Sequence, residues 1–211
     1  MKIDYSIYPT LLDSFYWAKR LGKWQELIDK INRVKIAEWP EAVQKGMCFE
    51  QTVNELLNKQ PGTRPKEVNG RLIYRNTKWD FDAALVDKVV KKLMNCQDKQ
   101  QFVQGELKTP LGNVKLYGFV DYVYPEFYID LKTCGEYKKD KYKINAQHKC
   151  YPIIGNKKSL TYFITDFSNT YTESYPLTSE MKDIFISELT EFIEWLNINK
   201  ELITDTKIFG K

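Results

Sequence analysis

The chain has 211 residues, 43% of them apolar and 14% aromatic, which is enough to bury a sizeable core and argues against a disordered chain. Its net charge of +4 is mild and does not by itself mark a nucleic-acid binder. No stretch approaches the ~20 uninterrupted apolar residues of a membrane-spanning helix, and Asp4 and Tyr5 stand where a secretory signal would be apolar, so a cytoplasmic protein with no membrane partner is expected.

In chain order, Thr10 follows Pro9 as the expected N-cap of a first helix over residues 10–21, and a second helix is predicted over 24–34. Pro40 suits a first helical position with Glu41 in the favourable first turn, and Val43, Met47, Val53 and Leu57 carry that helix to 59. Two prolines and a glycine make 60–66 a loop, and 81–93 reads as another helix. The period then changes. Residues 101–108, 114–124 and 127–133 are aromatic and β-branched runs separated by turn residues, which predicts a three-strand meander. A helix over 138–151, strands at 160–165 and 170–176, and a long helix over 179–198 complete the pattern. Without repeats or low-complexity tracts, one domain over 1–211 is expected, with a mainly helical part at 1–95, a sheet core at 100–176 and a C-terminal helix at 177–211.

Chemistry concentrates in the segment Gly118-Phe-Val-Asp121-Tyr-Val-Tyr-Pro-Glu-Phe-Tyr-Ile-Asp130-Leu-Lys132. A turn centred on Pro125-Glu126 sets Asp121 directly across from Asp130. Strand alternation puts Lys132 on the face of Asp130 and sends Ile129 and Leu131 to the other. Two opposed carboxylates inside apolar strands repel one another unless a cation lies between them, and a hard ion such as magnesium or manganese is the natural occupant. Lys132 is then placed to act on an attacking water or on a phosphate. Glu50 falls within the arc of Val43, Met47 and Val53, so its carboxylate aims toward the core side and is a candidate third member.

Other metal chemistries are disfavoured. His148 is the single histidine, which excludes His-rich sites, and Cys48, Cys96, Cys134 and Cys150 form no C-x-x-C pair, so neither zinc nor disulfides are expected. From Lys132 to Lys158, eight lysines stand against Glu136 and Asp140, a local charge of +6 that suits either a phosphate-binding surface or a solvated helix face. Gln147 and Tyr151, four apart on the expected basic helix, suit either a phosphate or base contact or ordinary helix-to-sheet packing.

These segments resemble the PD-(D/E)XK nuclease superfamily, in particular its RecB-type and phage exonuclease-like branch. Pro9-Thr10-Leu-Leu12-Asp-Ser-Phe15 is similar to that branch's opening helix, and Gly46-Met-Cys-Phe-Glu50 to its first motif. Gly118-Phe-Val-Asp121 and Asp130-Leu-Lys132-Thr133 resemble the second and third motifs, and Gln147-His-Lys-Cys-Tyr151 the Gln-x-x-x-Tyr motif. The order agrees over roughly residues 9 to 155. Pro152 is a departure, since it should kink or end the helix carrying Tyr151.

The resemblance implies an α/β (α+β) fold with a restriction-endonuclease-like core, a central mixed sheet of about five strands flanked by helices. It implies metal-assisted hydrolysis of DNA, with Glu50, Asp121, Asp130 and the Leu131 carbonyl as ligands of magnesium or manganese and Lys132 as the catalytic lysine. Gln147, Tyr151, Lys149 and Lys143 would contact or shape the DNA path. The cysteine spacing does not reproduce the iron-sulfur cluster of some relatives, and none is expected. DNA is the expected partner, in DNA processing, recombination or phage replication, and a recombinase, single-strand-binding protein or helicase is compatible, as is any oligomeric state. An exonuclease is the leading reading. A non-catalytic nucleic-acid-binding or assembly module and a restriction-type endonuclease are the competing ones.

Overall fold

The computed structural model describes residues 2–60 and 62–210; Pro61, in the expected loop at 60–66, lies outside them. The elements in order are β1 (Tyr5–Ile7), α1 (Pro9–Leu21), α2 (Trp24–Ile31), α3 (Glu41–Leu57), β2 (Lys66–Val68), β3 (Arg71–Asn76), β4 (Trp79–Asp82), α4 (Ala83–Leu93), β5 (Asp98–Thr109), β6 (Gly112–Val123) and β7 (Phe127–Thr133). There follow α5 (Gln147–Gly155), β8 (Ser159–Thr165), β9 (Thr170–Pro176), α6 (Ser179–Ile198) and two short 3-10 turns. The expected mixed sheet flanked by helices is present, with six strands where about five were expected.

The added strand is β1, too short for a sequence pattern. It pairs in parallel with β6 at Val114 to Leu116 and buries Tyr5 and Ile7 among α1, α2 and α6. A second sheet, β2-β3-β4, was not anticipated. Its signal was Asn69-Gly70, both with positive φ (52° and 73°), closing the two-residue turn between the paired residues Val68 and Arg71.

Helix ends also differ. Proline opens α1 at position 9, where its missing N–H leaves no hydrogen bond unmade, so Tyr8 rather than Thr10 is the cap. α2 stops at Ile31, Pro40 caps α3 from outside, and α4 starts at Ala83 because Asp82 ends β4 and its carboxylate accepts the Leu85 N–H at 3.0 Å.

The basic helix is the largest correction. Residues 138–146 form successive turns, with Asp140 at a positive φ of 61°, and α5 begins only at Gln147. The run Lys138-Lys139-Asp-Lys141-Tyr142-Lys143 has no apolar stripe at helical spacing to bury, so a helix there gains nothing from packing. By contrast Gln147, His148, Lys149, Cys150, Tyr151 and Pro152 are all buried. Pro152 does not end α5, which continues to Gly155 and closes on Asn156 in the left-handed conformation.

β6 organises the sheet. One edge carries β5 over its whole length. The other is shared: β1 pairs at Val114 to Leu116, and β7 pairs antiparallel only at Tyr122↔Ile129 and Val123↔Tyr128, the register that a turn at Pro125-Glu126 requires. β7 then leaves β6 and runs parallel to β8 from Phe127 to Thr133, joined to it through α5. A gap therefore opens beside residues 117–121 of β6. Leu131 and Phe163 face α3 and α4 on one side of the sheet, while Tyr162 and Ile164 pack with Tyr151 on the other.

Tyr151 leans on the open edge at Gly118, where a Cβ would lie 2.6 Å from its hydroxyl oxygen. Gly118→Ala is expected to lower the unfolding free energy by about 1–3 kcal/mol in chemical denaturation, and Tyr151→Phe in the same chain to recover part of the loss.

Candidate active site

The open wedge between β6 and β7 gathers the charged residues. At Asp121 the ladder has ended, and the Asp121 side chain replaces it: Oδ2 accepts the Leu131 N–H at 2.9 Å. Because N–H and C=O of one strand residue project to the same side, the Leu131 carbonyl faces that gap too. On β7, Asp130 is 2% exposed and its Oδ2 lies 2.6 Å from the Lys132 ammonium, while Oδ1 accepts a 3.0 Å bond from Gln147 Nε2 on α5. Ile129 and Leu131 point the other way, into the α3/α4 side of the core.

Glu50 reaches the cluster from α3. Gly46, one turn earlier, lets that helix approach β7, since a Cβ there would meet the Thr133 hydroxyl at 2.5 Å. The link between Glu50 and Asp121 is Gln100, whose Nε2 donates to Glu50 Oε1 at 2.8 Å and to Asp121 Oδ1 at 3.3 Å. Gln100 sits in a strand at a positive φ of 49°, a strained conformation for a residue with a Cβ. Sequence reasoning missed it, because a lone glutamine at a strand's start carries no signal. Asp13 was also missed: its carboxylate accepts the N–H of Ala146, the residue before α5, and so ties α1 to the helix that supplies Gln147. Burial pushes Asp13 up to about 6.

Burial, then the Asp130 and Glu50 carboxylates, hold Asp121 well above the usual carboxylate range; burial and Asp130 raise Glu50. Burial alone would lower Lys132, but Asp130 and Asp121 outweigh it and keep the ammonium above the ordinary lysine value. Lys132 therefore acts as a hydrogen-bond donor here. Buried His148, next to Lys149, is pushed down to about 3 and stacks neutral on Tyr175 at 4.2 Å.

The residues fit a hard divalent cation in donor chemistry: three carboxylates and a backbone carbonyl. One further observation favours a missing partner. Asp130 Oδ2 is close to Lys132, yet no donor meets it at a hydrogen-bonding angle, so this buried oxygen has its charge offset and its lone pairs undirected. Among the described residues, no three His, Cys, Asp or Glu side chains already stand as a metal cage. Gln100, Gln147 and Lys132 occupy the oxygens that such a cage would use.

The remaining candidates separate. Gln147 and Tyr151 are buried and shape the site from beneath. Lys143 is exposed on the loop before α5. Lys149 is not available to DNA, for it is buried and donates to both Glu188 oxygens at 2.7 Å. Cys134 and Cys150 are buried in separate clusters, and Cys48 and Cys96 border a third.

No family model matches the chain, and no curated protein matches it in sequence. Among solved structures it superposes on a provisionally named exonuclease from Eubacterium rectale with a TM-score of 0.50 and 15% identity, covering 94% of this chain and 82% of that one. It also superposes on the protein SSO0001 with a TM-score of 0.47 and 11% identity, covering 93% and 79%. At these identities only the fold is compared, and only the first score is high enough to bear on it. In the described residues no helix is long and apolar enough to cross a membrane.

Two outcomes follow from the electrostatics. Because folding raises the Asp121 pKa, ionisation opposes folding; the penalty is absent below ~4, the unfolded value, and grows as pH rises toward the folded one. Asp121→Asn should therefore raise the melting temperature of metal-free protein at pH 7, by about 2–4 °C per kcal/mol relieved, and leave it unchanged near pH 3. Lys149→Ala leaves Glu188, 24% exposed, without its ammonium and should lower the unfolding free energy by roughly 1–3 kcal/mol in chemical denaturation.

Proposed function

We propose that the protein is a divalent-metal-dependent DNA nuclease, acting as an exonuclease. The observation that carries this reading is the convergence of Glu50, Asp121 and Asp130 on the wedge between β6 and β7, beside an ammonium 2.6 Å from Asp130. The fold shared with a provisionally named exonuclease supports it, as does the motif order over residues 9 to 155.

Glu50, Asp121, Asp130 and the Leu131 carbonyl would hold magnesium or manganese. Such an ion supplies Lewis-acid stabilisation of the negative charge that builds on the scissile phosphate. The chain's own groups do the rest. Lys132 donates a hydrogen bond to the attacking water or to a phosphate oxygen, orienting it for displacement at phosphorus; the water oxygen bonds to phosphorus as the bond to the leaving oxygen breaks, and the proton the water loses is balanced by one gained at the leaving oxygen. Gln147 fixes the Asp130 carboxylate, and the Gln100 amide bridges Glu50 and Asp121. Lys138, Lys139, Lys141 and Lys143, exposed on the loop after β7, supply phosphate contacts without reading sequence, so activity falls steeply with salt.

The test is incubation with end-labelled linear, circular and single-stranded DNA. Degradation is expected with magnesium or manganese and none with chelator, and Asp121→Ala and Lys132→Ala should each lose at least about 10²–10³ in rate. Either metal should also raise the melting temperature of the parent protein but not of Asp130→Asn. Undiminished degradation in both alanine variants would remove the proposed site.

A further inference from the structure

The outer face of the β5–β6 hairpin carries two exposed phenyl rings. Phe102 is 48% exposed and Phe119 59%, although single large apolar residues at the surface are commoner than contiguous ones. They are opposite each other in the ladder, with ring centroids 5.3 Å apart. Tyr117 continues the strip 6.4 Å from Phe102, and Tyr8 lies 5.9 Å beyond Tyr117. All the even-numbered residues of β5 from Asp98 to Lys108 are exposed, so Gln100 and Phe102 share this face. Gln100 is the residue whose amide bonds both Glu50 and Asp121, and Phe119 lies two residues before Asp121. The rings therefore begin one strand repeat, roughly 7 Å, from the carboxylates.

We infer that this strip is a stacking platform for the unpaired bases of single-stranded DNA, delivering the strand to the carboxylates. The choice of DNA rests on the nuclease reading above; the choice of single strand rests on the rings. Bases in a duplex are stacked on one another and show only their edges in the grooves, so an exposed phenyl ring has no base face to meet there. An unstacked strand offers a π-face at every nucleotide, and stacking is indifferent to sequence, which suits a degrading enzyme.

The experiment measures fluorescence anisotropy of a labelled oligothymidylate and of a labelled duplex with the full chain in chelator, where cleavage cannot intervene. Phe102→Ala and Phe119→Ala should each weaken single-strand binding about fivefold to a hundredfold, with duplex binding and melting temperature unchanged. Leucine at either position should fail to restore binding and tryptophan should restore it, which a merely apolar contact would not require. Single-strand binding that is unaffected in the double alanine variant overturns the platform. So does restoration by leucine, or a change of oligomeric state on size exclusion, either of which makes the strip a protein-docking surface. Because binding is read without metal, failure of the parent protein to cleave DNA would sink the nuclease reading and leave this result standing.

Discussion

The arrangement depends on β6 and β7 parting after two paired residues. A hairpin of this composition would normally continue its ladder, burying backbone groups in mutual hydrogen bonds. Here β7 is drawn to β8 along its whole length through the α5 crossover, and β6 keeps β5 on one side and β1 at its start. The gap leaves the Leu131 N–H without a strand partner, and Asp121 supplies one. A carboxylate is thereby held at the mouth of the sheet between helices that approach from opposite faces.

Each neighbour of that gap contributes a group that would be unfavourable alone. Glu50 comes from α3 on one face and Gln147 from α5 on the other, while Asp130 and Lys132 stand on β7 between them. Removing several carboxylates from water is costly, and their mutual repulsion raises Asp121 and Glu50 further. One ammonium and two amides hold this charge in check, at the cost of strain at Gln100 and an undirected Asp130 oxygen. The glycines at 46 and 118 set how closely α3 and Tyr151 can approach, which fixes the width of the wedge.

Charge and aromatic surface are divided between the two sides of this opening. The loop after β7 carries the exposed Lys138, Lys139, Lys141 and Lys143. The hairpin on the far side is rigidly paired and presents rings.

Much of this was legible in the residues. Alternation in 127–133 placed Asp130 and Lys132 on one face and Ile129 and Leu131 on the other, and the turn at Pro125-Glu126 set the register, because side-chain direction in a strand is a local property. On α3 the expected arc held only at Val53: Val43 and Met47 are exposed, the buried face is Phe49, Thr52 and Val53, and Glu50 stands at its border. Charge content misled where burial decides: the run at 138–143 looked like part of a helix and Lys149 like a phosphate contact, but the former has no apolar stripe and the latter is enclosed against Glu188 from α6, 39 residues away. The joining of Gln100 to Glu50 and Asp121, across separations of 50 and 21 residues, and of Asp13 to the start of α5 depended on how layers pack. Local pattern determines which way a side chain points; only the tertiary structure determines what stands in front of it.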